Sequence, residues 1–104
     1  SVQKIPKKLT HVIHVAALAQ FEGATRKQLH QANVTTTQNL LNHIKKTSPK
    51  LQRFLYTSTF GVHDRPYFSS TRKPVSETSS FSPSSEYGRS KLEGEKRVQK
   101  SGLP

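Results

Sequence analysis

Apolar residues in this chain come in short blocks divided by long polar stretches, and their spacing changes from block to block. His11-Val-Ile-His-Val-Ala-Ala17 is a compact run rich in β-branched residues and predicts a buried strand. Residues 18–32 are mixed and read as loop leading into a helical turn or two. From Val34 the step changes. Val34, Thr37, Leu41 and Ile44 recur every three or four residues, with Leu40 beside them, which places them on one face of a helix. Pro49 ends that helix. Leu51 to Ser58 predicts a second strand centred on Phe54, Leu55 and Tyr56. Residues 60–85 form a long loop dense in Ser and Thr, punctuated by Pro66, Pro74 and Pro83. A last helix runs to Lys100, with Ser84 or Ser85 as its N-cap and Gly102 and Pro104 as stop signals.

Strand, helix, strand, loop, helix predicts an α/β fold with a parallel sheet. Two strands alone do not make a stable sheet of this kind, and buried parallel strands need cover on both faces. The chain therefore reads as a slice of a larger fold, and no internal repeat suggests otherwise.

Composition narrows the picture. Only 31% of the 104 residues are hydrophobic, which allows one domain with a modest core. There is no cysteine, so no disulfide can staple the fold, which is compatible with a reducing compartment; the expected setting is cytoplasmic. Ser1 to Thr10 is basic and leads into only a short apolar run, so no signal peptide is expected. No segment is long enough to span a membrane. The net charge of +11 would suit a phosphate-bearing partner, but the bases are scattered along the chain. Zinc spacings, RNP-type aromatic strands and heptads are all lacking, so nucleic acid is not the expected partner. His11 and His14 are expected to face one side of their strand, yet two histidines without clustered carboxylates do not make a metal site, and no metal is expected.

Chemistry enters with Ser-Glu-Tyr87-Gly-Arg-Ser-Lys91. On a helix, positions four apart share a face, so phenol and ammonium can point into one site. A cation near a phenol favours the phenolate, which makes the tyrosine a candidate proton carrier. A hydroxyl from elsewhere, such as Thr59, could hold the substrate oxygen in line. That combination suits oxidation of an alcohol or reduction of a ketone.

The ordered set of motifs resembles the middle of an extended short-chain dehydrogenase/reductase, the NAD-dependent epimerase/dehydratase group. Val12-Ile-His-Val-Ala-Ala17 is similar to the family's fourth strand. Asn33-Val34-x-x-Thr37-x-Asn39-Leu40-Leu41 resembles the helix after it. Arg53 to Val62, with Thr57-Ser58-Thr59, resembles the fifth strand and its Ser/Thr signature. Pro83-x-x-x-Tyr87-Gly-x-Ser-Lys91-Leu-x-x-Glu95 resembles the catalytic helix, and Pro74 and Glu77 fit a Pro-x-x-Glu turn before it. The likeness covers about residues 11–104.

The resemblance implies a partial Rossmann-type, doubly wound parallel sheet, a single NAD(P)-binding domain over residues 1–104. It implies Tyr87 as general acid/base, Lys91 as its electrostatic partner and a ligand of the nicotinamide ribose, and Thr59 as the catalytic hydroxyl. Ala16, Ala17, Thr57 and Ser58 would line the cofactor pocket together with Tyr87 and Lys91. Asn33 would lie near substrate, as would Thr59. The implied cofactor is NAD or NADP, and the implied substrate a sugar nucleotide or another hydroxyl or keto compound. A homodimeric parent is among the states the resemblance implies.

The departures are equally specific. No Gly-x-Gly-x-x-Gly is present, and the chain stops before the region that would select substrate. His63-Asp64 stands where many members have Tyr-Gly. The chain alone is therefore expected not to turn over substrate. Two other readings remain open: a non-catalytic basic interaction fragment of the same fold, and a reductase of steroids, flavonoids or acyl thioesters.

Overall fold

The computed structural model describes residues 4–19, 23–63, 76–78, 80–83 and 85–104. Asp64, Pro66, Pro74 and Ser84, named above, lie outside the described residues. Strand β1 covers His11–His14 and strand β2 covers Arg53–Tyr56. Between them runs one continuous helical segment: α1 (Arg26–His30), a π-helical turn (Gln31–Thr35) and α2 (Thr36–Thr47). A 3₁₀ turn, Phe60–His63, follows β2, and α3 spans Glu86–Lys100.

The strands pair in parallel, with His11 opposite Arg53 and His14 opposite Tyr56. The α/β order and parallel pairing are those expected, with three differences of extent. Both strands are shorter than the apolar runs, because Val15 to Ala17 and Ser58 continue past the last bond between them, Thr57 N to His14 O, into the site described below. The helix begins at Arg26, eight residues before the periodic stretch. Thr25 starts it with a reciprocal cap: its hydroxyl accepts from Gln28 N, and the Gln28 side chain accepts from Thr25 N. Within the expected loop, the segment after Thr59 coils into a 3₁₀ turn.

Leu40, Leu41 and Ile44 of α2 pack on Phe54 of β2 to form the core, with Ile5, Leu9, Val12, Leu51, Tyr56, Val98 and Leu103 around it. Because strand residues alternate in facing, Val12 and His14 lie on the covered face, as do Phe54 and Tyr56. Residues three apart in a strand face opposite ways, so His11 and His14 do not share a side as expected. His11 is exposed and His14 buried. The other face of the sheet carries Ile13 and Leu55, 66% and 53% exposed.

The lower ends of the helices are closed by local chemistry. Lys8, in the left-handed region at φ 58°, donates its N–H to the Thr47 carbonyl, and Leu9 N donates to the buried Ser48 hydroxyl. Lys45 and Lys46 lie in the last turn of α2, where positive charge suits the helix dipole. Gly102, at φ 76°, turns the chain after α3, and Phe54 N donates to the Pro104 carbonyl. Among the described residues, no helix is long and apolar enough to cross a membrane.

Candidate active site

The site forms where the C-terminal end of β2 meets the first turns of α3. Ser85 caps α3, its hydroxyl accepting from Gly88 N at 2.9 Å. Tyr87 and Lys91 follow one turn apart. Two glycines let the helix sit close. A Cβ on Gly88 would lie 2.9 Å from the Gly61 carbonyl, and one on Gly94 would collide with the Tyr56 hydroxyl and crowd the Asn33 carbonyl. The close seating carries the lysine into the protein. Lys91 is 2% exposed, donates to the Thr57 carbonyl at 2.8 Å, and holds its Nζ 4.4 Å from the Tyr56 ring centroid. Among the described residues it is in no ion pair.

Burial sets the electrostatics. Desolvation pulls the Lys91 ammonium below the usual lysine range, and the Glu95 carboxylate partly opposes this. His14 is lowered too, first by burial and then by the charge of Lys91. Tyr56 is pushed up to about 12 by burial, with smaller contributions from Glu95 and Tyr87. Tyr56 is therefore a neutral phenol at any working pH, and the phenol of Tyr87 lies within its electrostatic reach.

A hydrogen-bonded chain ties this corner to β1. The Asn33 side chain accepts from Leu18 N (2.7 Å) and donates to Leu18 O and to Ser90 Oγ (both 3.0 Å). Ser90 in turn donates to the Tyr87 carbonyl. Thr37 donates to the Asn33 carbonyl, so toward His14 Nε2, 3.0 Å away, it can only accept. The imidazole therefore carries its proton on Nε2. The π turn makes room here. The Thr36 N–H reaches back five residues to Gln31 O, and α3 presses on the bulge at Asn33.

The residues singled out from sequence fall as follows. Thr57, Ser58 and Thr59 leave β2 beside β1, with Thr57 N donating to His14 O. The Thr59 hydroxyl accepts from Gly61 N at 3.2 Å. Ser58 Oγ is buried and has no partner among the described residues. Ala16 and Ala17 are exposed on the segment after β1, which Asn33 pins through Leu18. The first turns of α3, the Thr57–Thr59 stretch and the end of β1 thus meet at one end of the sheet, where open parallel sheets bind ligands. Asn33 instead has its whole amide engaged by Leu18 and Ser90. Sequence reasoning missed Tyr56, which alternation assigns to the core, and the linking roles of His14, Thr37 and Ser90. The four-residue step from Asn33 to Thr37 was the available signal for a shared face. Among the described residues, no three potential metal ligands cluster.

Chemically, the corner offers a tyrosine one turn from a buried ammonium, a threonine hydroxyl and a serine hydroxyl that has no partner among the described residues. A separate hollow of about 280 Å³, lined by Arg26, His30, Glu86, Arg89, Ser90 and Glu93, includes neither Tyr87 nor Lys91.

A family model described as the NAD dependent epimerase/dehydratase family matches residues 1–102. No curated protein sequence matches. Among solved structures, UDP-glucuronic acid 4-epimerase from Bacillus cereus in complex with NAD superposes with a TM-score of 0.81 at 29% identity, over 97% of this chain and 30% of that one. The UDP-Glc/GlcNAc 4-epimerase of Campylobacter jejuni gives 0.77 at 27% identity, over 90% of this chain and 27% of that one. A short-chain dehydrogenase/reductase superfamily protein from Agrobacterium tumefaciens, with bound NAD, gives 0.72 at 31% identity, over 88% and 26%. The chain thus has the Rossmann-type α/β fold and spans under a third of the length of these structures.

Proposed function

This chain belongs to the NAD-dependent epimerase/dehydratase family, and from that premise we propose that it supplies the proton-transfer part of a site acting on a nucleotide sugar. The observation that carries the reading is Lys91. A lysine 2% exposed and, among the described residues, in no ion pair is costly to keep charged, and it sits one helical turn from Tyr87.

NAD or NADP, when bound, accepts and returns the hydride. The residues present fit its nicotinamide ribose half. The ammonium of Lys91 gives one N–H to Thr57 O and keeps others for ribose hydroxyls. The Ser58 hydroxyl, without a partner among the described residues, lies on the same stretch. Ala16 and Ala17, exposed past the end of β1, present only methyl groups.

Tyr87 takes the proton of a sugar hydroxyl as its carbon is oxidised, and returns it when the carbonyl is reduced. Thr59, whose hydroxyl already accepts from Gly61 N, directs its proton to the same sugar oxygen. Lys91 favours the phenolate by its charge. Asn33 acts through Ser90, whose bond to the Tyr87 carbonyl steadies the first turn of α3. The relatives named for UDP-sugar 4-epimerisation favour a UDP-hexose over other hydroxyl or keto substrates.

The test is turnover of UDP-glucose and UDP-glucuronic acid by the native protein with NAD, before and after Tyr87→Phe. General acid–base loss predicts a drop of about 10²- to 10⁴-fold with NAD affinity nearly unchanged. Equal turnover in the variant would overturn the role of Tyr87. A wild-type protein inert on both sugars would leave the non-catalytic basic module as the better reading.

A further inference from the structure

We propose that Tyr56 is a positioning residue for Lys91, its ring forming the seat on which the ammonium rests. This deepens the function proposed above and rests on it for the meaning of Lys91, though not for the contact itself.

Lys91 reaches inward with no ion pair among the described residues, and two groups at the C-terminal end of β2 and just past it hold it. Thr57 offers its carbonyl at 2.8 Å, and Tyr56 offers its ring face at 4.4 Å. A cation over an aromatic face is attracted by the negative side of the ring quadrupole, and the attraction grows where water is excluded. The carbonyl fixes one N–H direction, while the ring covers a second side without taking up a hydrogen bond in a fixed direction. The remaining donors stay available for ligand hydroxyls. A carboxylate in the same place would pin the ammonium and cancel its charge.

The ring is itself held on several sides. The His14 imidazole packs against it at 5.7 Å and 45°. Its hydroxyl points toward the Lys91 carbonyl at 3.5 Å and meets the bare Cα of Gly94. Gly94 thus makes the space that Tyr56 fills, and Tyr56 presents the face that Lys91 uses. Because the phenol stays neutral, the face rather than a phenolate is what the lysine meets.

The experiment measures how fast an amine reagent labels Lys91 as a function of pH, by mass spectrometry of the native protein. Exposed Lys45 and Lys46 serve as internal references. Three proteins are compared: wild type, Tyr56→Phe, and position 56 carrying pentafluorophenylalanine, which keeps the ring's shape but reverses its quadrupole. The Phe variant should keep the wild-type labelling midpoint. The fluorinated ring should lower it by about half to one pH unit, as expected for losing a cation–π contact. Equal midpoints for the Phe and fluorinated proteins, each folded by circular dichroism, would overturn the proposal. A shift of the same size in both would also overturn it, by assigning the hold to the hydroxyl. Turnover is recorded in parallel. A midpoint shift in a protein without turnover sinks the proposed function and keeps the seat. Turnover that depends on Tyr87 without any shift does the reverse.

Discussion

Asn33 joins three elements with one amide. Its partners are 15 and 57 residues away in sequence, so its spacing could mark it as a helix-face residue but could not say what it holds. Replacing it with Ala removes three hydrogen bonds and strands polar groups of Leu18 and Ser90. We expect about 2–4 kcal/mol of lost stability in urea melts, from about 1 kcal/mol per bond and the added cost of stranded groups. Tyr87 and Lys91 were legible from their four-residue step. Tyr56 was not, because a strand's alternation says only that a side chain faces inward, never which group from another element meets it. Titration at this scale has a definite sign. The pKa of His14 is depressed on folding, so the unfolded chain binds more protons as pH falls below about 6.5. Its contribution to stability is complete above that value and declines on acidification toward the folded pKa. A melting temperature that rises between pH 5 and 7, with a shallower rise in His14→Asn, is the expected outcome. Identical slopes would contradict it.

At the scale of elements, α3 shows the difference between a pattern and a fit. Its cap, its length and its paired Tyr and Lys could be read in advance, since each depends on neighbours within a turn or two. Gly94 reads as a weakness in a helix, where Ala is favoured by about 1 kcal/mol. In the fold it is the point where α3 passes the Tyr56 hydroxyl and the Asn33 carbonyl. Gly94→Ala should therefore destabilise by about 1–3 kcal/mol despite the better helix former, as overpacking does. A thermal melt at or above wild type would show that the helix can shift outward freely. The π turn escaped the sequence for the same kind of reason: its extra residue answers to packing by α3, not to any local signal in Gln31–Thr35.

For the molecule as a whole, the parallel α/β arrangement followed from the order of periodic blocks, and the slim core followed from composition. The sheet is covered by helices on one face, while Ile13 and Leu55 stand open on the other. Sequence could not distinguish these faces in β1, because His11 to Ala17 lacks a clear apolar–polar alternation and reads as a buried strand.

The register of β1 on β2 has one more implication, a kinetic one. The paired strands stand roughly 40 residues apart in the chain, so their first ladder bond must close a loop of that size, at about 3 kcal/mol of chain entropy. Four-residue strands return little at that moment. The helix between them has to shorten the gap and offer Leu40, Leu41 and Ile44 as a surface before the strands can meet. The sheet whose end presents Thr57 and seats Lys91 is thus expected to form late in folding, after the helix that brings its strands together.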